Sequence, residues 1–547
     1  MKAKKILFLL SISVLLAGCS WLPKWGNLSS SSEVSSESSE SSSESHSSES
    51  SSSESQTSIS SSSEEQSSSE ESSSSEPQPL GYVKVDHMSF VNSDLDSAYA
   101  PAIGDVKMLV IPIAFQGNTG NGYSSQIQNW TSTKLSNMYG YYFGESNSLS
   151  SYYATASFGK MNLTGMVSDV YPNTTYTVKA ILEDDSMDTL WDMMDEALAW
   201  VMDNNPSIDW SEYDLNEDGN IDNIHLITNY SSNKWAENLW PHMYYTRRSH
   251  SGEHLGINVY SISGLSFVNN SVTAIHEQGH IFGLQDYYDY SNDGQSPIDY
   301  IGGLDMQSHN VFDWNSFSKL STGWVEPYVV TGEAETTTIT LNSASLTGDC
   351  IIIPADYSTW NGSAFDEYFL VELFTKYGNN VKDWSKYSGA LGAGGVRLYH
   401  VDARAYGSNQ RVSYNNQLLV VDDMEEQEIN SVEDVSKWNY TTLGANNCSD
   451  WRDYEGGIEQ LANHPLLSIV QRGGDFTFAK NNNDHKTLNA TDLFKNGHKF
   501  TFEEYSHFLN KDRTSSSTMD NGEIFPYEIS FSNFSQEHIT VTITKVR

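Results

Sequence analysis

The chain has 547 residues, 38% of them hydrophobic, and a formal net charge of −41. That length is more than one ordinary core holds, so two folded domains are expected. The charge excludes a nucleic-acid role, because phosphate contact needs a basic surface.

The chain opens Met1-Lys2-Ala3-Lys4-Lys5, runs apolar from Ile6 to Leu16, and continues Ala17-Gly18-Cys19. A charged start, a short apolar run and small residues before a Cys read as an export signal over 1–18, not a spanning helix. Leu16-Ala17-Gly18-Cys19 resembles a bacterial lipobox, which implies lipid on Cys19 as the first mature residue. Residues 19–80 then form a tether. From Ser29 to Glu76 it is almost all Ser and Glu, with too little apolar surface to offset ordering entropy. Sixty such residues reach roughly 45 Å r.m.s.. The tether carries about a quarter of the net charge, so the folded part is acidic too. No second long apolar run occurs in the sequence, so lipid on Cys19 is the whole expected anchor.

Residues 81–330 mix strand and helix signals. Gly81 to Asp105 is too short for a large pro-domain, though it suffices to cover a cleft as a peptide. Met108 to Phe115 is an apolar run fit for a buried strand, and Thr189 to Met202 has helical spacing through Leu190, Met193, Met194, Ala197 and Val201. Asp214, Asn216, Asp218, Asn220 and Asp222 alternate around Gly219. Oxygens at positions one, three and five with Gly at six suit a calcium turn, although His225 at position twelve is not the EF-hand Glu. The alternative is an Asx-rich turn with no ion. Ile224 to Ile227 follows as a strand. Asn258 to Ser266 alternates and reads as an edge strand able to hold an extended substrate, or as plain core.

His276-Glu277-Gln278-Gly279-His280 comes next, followed by Gly283 and Asp286. Positions i and i+4 share one helix face, so both imidazoles reach one metal, and two imidazoles suit zinc. Glu277 stands where a carboxylate can take the proton of an activated water. Val272, Ile275 and Phe282 bury the far side of the helix, and Gly283 ends it in the left-handed C′ position. The third ligand is an Asp. Asp286 stands directly after the turn and is favoured; Asp289 is the main competitor, ahead of Asp293, Asp299, Asp305 and Asp313. Between His280 and Trp324 there is no Glu, and Glu326 is followed by Pro327, which argues against a helical ligand there. His242 and Tyr288 are candidate oxyanion donors.

Residues 331–547 are rich in strand-like runs: Thr336 to Leu341, Cys350 to Ile353, Tyr368 to Glu372, Val396 to Val401 and Leu418 to Val421. Tyr527 to Val546 reads as two strands around a turn near Gln536. A β-rich, sandwich-like accessory domain is expected. Cys350 and Cys448 either pair or stay free thiols.

The run HEQGHIFGLQDYYD resembles the immune inhibitor A-type metallopeptidases, secreted bacterial zinc proteases. Further stretches are similar in the same order: VKMLVIPIAFQG (106–117), SLSSYYATASFGKMNLTGMV (148–167), DLNEDGNIDNIHLI (214–227), LWPHMYY (239–245) and IGGLDMQSHNVFDWNSFSKLSTGW (301–324). The last resembles the stretch carrying a Met turn beneath the metal, with Met306 in that place. The likeness covers about two-fifths of the chain well and departs at Gln285, where the family often has Pro. It implies an α+β zincin-like catalytic domain that cleaves protein or peptide substrates, here lipid-anchored at the extracellular face of the membrane. The alternative is a surface-tethered binding protein with a vestigial zincin domain.

Overall fold

The computed structural model describes residues 80–86, 100–116, 123–232, 234, 237–246, 248, 252–266, 271–284, 286–288, 299–403, 466–478, 485–510 and 514–547. The export signal, Cys19, the tether up to residue 79, Asp289, Asp293, the Leu418–Val421 run and Cys448 lie outside them. The described residues belong to one compact unit, a mixed α/β structure with several sheets.

In chain order the first half contains β1 (Tyr82–Lys84), β2 (Gly104–Ile113), α1 (Ser132–Phe143), α2 (Leu149–Ala156), β3 (Met161–Val167), α3 (Val178–Leu182) and α4 (Asp188–Asn204). Then come β4 (Asn220–Ile221), β5 (Ile224–Thr228), β6 (His242–Tyr245), β7 (Gly256–Ile257), β8 (Val259–Gly264) and α5 (Val272–Ile281). A five-stranded sheet runs β3-β2-β5-β8-β6. Its pairs are parallel except β6 against β8. Successive side chains of a strand face opposite sides, and β2 uses both. Leu109, Ile111 and Ile113 pack with the apolar face of α4, while Val106, Met108 and Val110 pack on the side of α2 and α5. On β3, Gly165 has φ +154, and a Cβ there would fall into the Met108 carbonyl, so only Gly lets these strands close.

The strand read from Asn258 to Ser266 forms as β8, but it is interior. Among the described strands the edges are β3 and, next to β8, β6. Every residue of β8 is buried; alternation reports the two faces of a strand and says nothing about its neighbours.

The second half contains α6 (Met306–His309), α7 (Ser316–Ser321), β9 (Tyr328–Val330), β10 (Thr336–Asn342), α8 (Ala344–Thr347), β11 (Cys350–Ile353) and β12 (Glu367–Phe374). It continues with α9 (Asn380–Leu391), β13 (Gly395–Asp402), β14 (Leu467–Ile469), β15 (Lys499–Phe500), β16 (Tyr527–Ser532) and β17 (His538–Lys545). One sheet runs β1-β9-β11-β12-β13-β14 and another β10-β17-β16-β15. The six-stranded sheet has two buried faces. Val330, Ile351, Phe369, Val371 and Leu398 close a core with Ile339, Ile529, Phe531 and Val541 of the four-stranded sheet. Its other face, with Val329, Cys350, Ile352, Leu370 and Tyr399, enters the core that also holds Ala274, Ile275, Ile281 and Phe282 of α5. That core runs across the boundary expected at residue 330, and β9, from before the boundary, joins β1 on one side to β11, from after it, on the other.

Candidate metal centre

Helix α5 places His276 and His280 one turn apart, with their rings 4.8 Å apart. Its C-terminus closes as the spacing predicts. Gly283 takes φ +87; its N–H bonds the His280 carbonyl at 2.9 Å, and the Leu284 N–H bonds the Gly279 carbonyl at 3.0 Å. This is the Schellman pattern. It reverses the chain, so the Leu284 carbonyl comes back to His280 and Asp286 to the face of both imidazoles.

The second nitrogen of each ring is fixed. His276 Nδ1 lies 2.7 Å from the Met306 carbonyl and His280 Nδ1 2.7 Å from that of Leu284. A carbonyl only accepts, so each Nδ1 carries the proton and each neutral Nε2 presents a lone pair. Those two Nε2 atoms are 3.1 Å apart, and Asp286 Oδ1 stands 3.0 Å from the first and 3.5 Å from the second. Three electron-rich atoms this close repel unless a positive charge sits among them. Donors held about 2.0–2.2 Å from a tetrahedral ion stand roughly 3.3–3.6 Å apart, close to the observed spacing. The set can hold a metal ion.

Electrostatics agree. Burial alone would raise the Asp286 carboxyl, but the two imidazoles hold it well below the usual carboxylate range. Burial alone would lower His280, but the Asp286 carboxylate overrides it and lifts the ring to about 9, so that without a metal a proton on Nε2 takes the cation's place and the lone pair is offered only as that proton leaves. The pocket attracts positive charge. Glu277 is fully buried, neither of its carboxylate oxygens has a hydrogen-bond partner among the described residues, and burial pushes it up to about 8. An unpartnered buried carboxyl costs stability, which suits a group kept for chemistry rather than for folding.

No protein-family model matches this chain, and no curated protein matches it. The site therefore rests on its own geometry.

Of the other Asp candidates, Asp299 accepts from the Ser308 hydroxyl and the Ile301 N–H, Asp305 caps α6 through the Gln307 N–H, and Asp313 pairs with Lys319 at 2.7 Å. His242 does not join the metal face. Its Nδ1 bonds the Trp240 carbonyl at 2.7 Å and its Nε2 meets the Tyr260 hydroxyl at 3.1 Å. Tyr260 belongs to the core on the α4 side of the sheet, opposite α5, so His242 stands on the face of the sheet away from the two imidazoles. Tyr288 is half-buried and forms a backbone bridge with Asp299.

In the Asp214–Asp222 turn, the Asp214 oxygens accept from the N–H groups of Asp218 and Gly219, each at 3.0 Å. Asp218 accepts from Asn220, Asn216 from Asp218, and Asp222 from Leu215. These bonds hold the turn's shape from within. Two groups of His and acid side chains converge among the described residues, and this turn supplies neither. The second is Glu367, His400 and Asp520. There Glu367 accepts from His400 and from the Asp520 and Asn521 N–H groups, so it latches a backbone turn.

Sequence reasoning missed several residues around α5. Tyr153 donates its hydroxyl to the Ile275 carbonyl. Gln307 approaches His280 Nδ1 through its amide nitrogen at 3.4 Å. The Ala100 N–H bonds the Ile281 carbonyl at 3.0 Å, and Trp324 Nε1 bonds the Ala102 carbonyl at 2.7 Å. Thus 100–102, part of the segment expected to cover the cleft, caps the end of α5.

Proposed function

We propose that the chain is a zinc-dependent endopeptidase of the immune inhibitor A type, with a zincin-like catalytic region and a sandwich-like C-terminal region. On this reading it is anchored by lipid on Cys19 and hydrolyses peptide bonds of extracellular proteins. One observation carries it: two imidazole Nε2 atoms and the Asp286 oxygen lie within 3.0–3.5 Å of one another, beside a Glu277 carboxyl that has no hydrogen-bond partner among the described residues. Two nitrogens and one carboxylate oxygen are a donor set zinc favours, and three protein ligands leave a coordination position open. Bound there, zinc would polarise a scissile carbonyl and lower the pKa of a water.

The chain's own groups do the rest. The Met306 and Leu284 carbonyls keep both rings in the tautomer that offers Nε2. Asp286 supplies the negative charge. Glu277 takes the proton of the attacking water as the carbon–oxygen bond forms. It then gives that proton to the leaving nitrogen as the carbon–nitrogen bond breaks.

The test is metal analysis of the purified protein together with casein cleavage, with and without a chelator. We expect stoichiometric zinc, and cleavage that chelation abolishes and added zinc restores. Protein that holds zinc yet never cleaves would move the weight to a tethered binding protein.

A further inference from the structure

The centre is braced from a strand more than a hundred residues away in sequence. We propose that Arg397, on β13, is a positioning residue for the metal centre; this rests on the metal-binding reading above. Strand β13 pairs with β12, and Glu372 stands directly opposite Arg397. Both are buried. The guanidinium forks: Nη1 lies 3.3 Å from Glu372 Oε1, and Nη2 donates to the Leu304 carbonyl at 2.7 Å. Its plane rests on the Phe374 ring, 3.5 Å from the centroid. Glu372 also accepts from the Tyr399 hydroxyl at 3.0 Å and the Ser316 N–H at 2.7 Å.

Leu304 begins the segment to which two of the three candidate ligands, His276 and Asp286, are tied. Two residues on, the Met306 carbonyl orients His276. The Gln307 carbonyl accepts from the N–H of Tyr287, the residue after Asp286, at 3.0 Å. Partners of this kind set ligand tautomer and direction, and losing one commonly weakens metal binding about 10–100-fold. Fixing one end of a four-residue segment fixes what the segment carries. Arg is suited because its planar fork serves an acid and a carbonyl in different directions, while one ammonium cannot keep both bonds. A buried ion pair is poor evidence of stability but a good way to impose one geometry.

The test compares wild type, Arg397→Lys and His400→Gln. His400 lies on the same strand but faces the other core, stacked on Phe369, so its loss perturbs β13 without touching Leu304. Zinc affinity is read by competition with a chromophoric chelator, and ligand geometry by the visible spectrum of the cobalt(II) form. We expect Arg397→Lys to bind zinc about 10–100-fold more weakly with a changed cobalt spectrum, and His400→Gln to match wild type in both. Wild-type affinity and spectrum in Arg397→Lys overturn the proposal, as does equal weakening in His400→Gln. Should Arg397→Lys not fold, the double variant Arg397→Met/Glu372→Gln removes both charges together, and the same outcomes decide. Wild type that takes up no zinc overturns the metal reading and this inference with it. Zinc-binding wild type beside an unaffected Arg397→Lys overturns this inference alone.

Discussion

Glu277 costs the fold stability and returns no hydrogen bond among the described residues. Its carboxyl is buried, and burial lifts its pKa to about 8. Replacing it with Gln keeps the shape and removes a group that burial penalises when charged. We therefore expect Glu277→Gln to retain zinc, to unfold no more easily than wild type in chelator, and to lose at least roughly a hundredfold in peptide cleavage, the scale of a lost general base. Cleavage at the wild-type rate would end its role. The four residues converging here were legible in the sequence because helical geometry alone relates 276, 277 and 280, and one turn relates them to 286. The residues that hold them were not. The Met306 carbonyl and Arg397 act through backbone and tertiary contacts between distant positions, and no local pattern encodes those; only the family likeness singled out Met306.

At the scale of elements, the C-terminal turn of α5 does as much as its ligands. Gly283 sits at φ +87, where a Cβ costs roughly 1–2 kcal/mol. We expect Gly283→Ala to lose about that much stability and also to weaken zinc binding, because the same turn delivers the Leu284 carbonyl to His280. Chelator competition beside denaturant unfolding checks both; lost stability with unchanged affinity would detach the turn from the metal. Gly279 is tighter still. A Cβ there would press into the Gln307 amide and lie 2.9 Å from the Trp314 ring, so Gly279→Ala must displace the segment that orients the ligands or fail to fold. Elements with strong local signals, such as α4, β2, β11, β13 and the β16–β17 hairpin, are readable from periodicity. Order within the sheet is not, and for β8 the pattern leaves edge and core equally open, because burial by neighbouring strands leaves no mark on a six-residue pattern.

At the scale of the whole molecule, the six-stranded sheet walls the core that contains α5, so we expect a fragment ending at residue 330 to expose that core and fail to fold by circular dichroism; a folded, zinc-binding fragment would show the two regions to be independent. Acid response is also a property of the whole unit, because buried groups on different elements oppose one another. Burial lowers His225 to about 3 and His242 to about 4, so each ring stays neutral in the fold where the unfolded chain takes a proton. Their contribution is complete above the unfolded value near 6.5 and is lost as pH falls from there towards the folded values. Burial raises Asp222 to about 6 and Asp305 to about 7; these contribute at low pH and lose that contribution as pH rises through the folded values. Two opposed pairs in overlapping windows flatten the wild-type profile, so the histidine effect is visible only as a difference. His225 stands between the Ser261 and Ser263 hydroxyls, 2.6 and 2.9 Å from its two nitrogens, and Gln in its place keeps a polar group that does not titrate. In chelator, we expect the stability advantage of wild type over His225→Gln to shrink between pH 6.5 and 4 by up to about 1.4 kcal/mol per unit. A constant gap across that range would mean the imidazole takes its proton in the folded core as readily as in the unfolded chain.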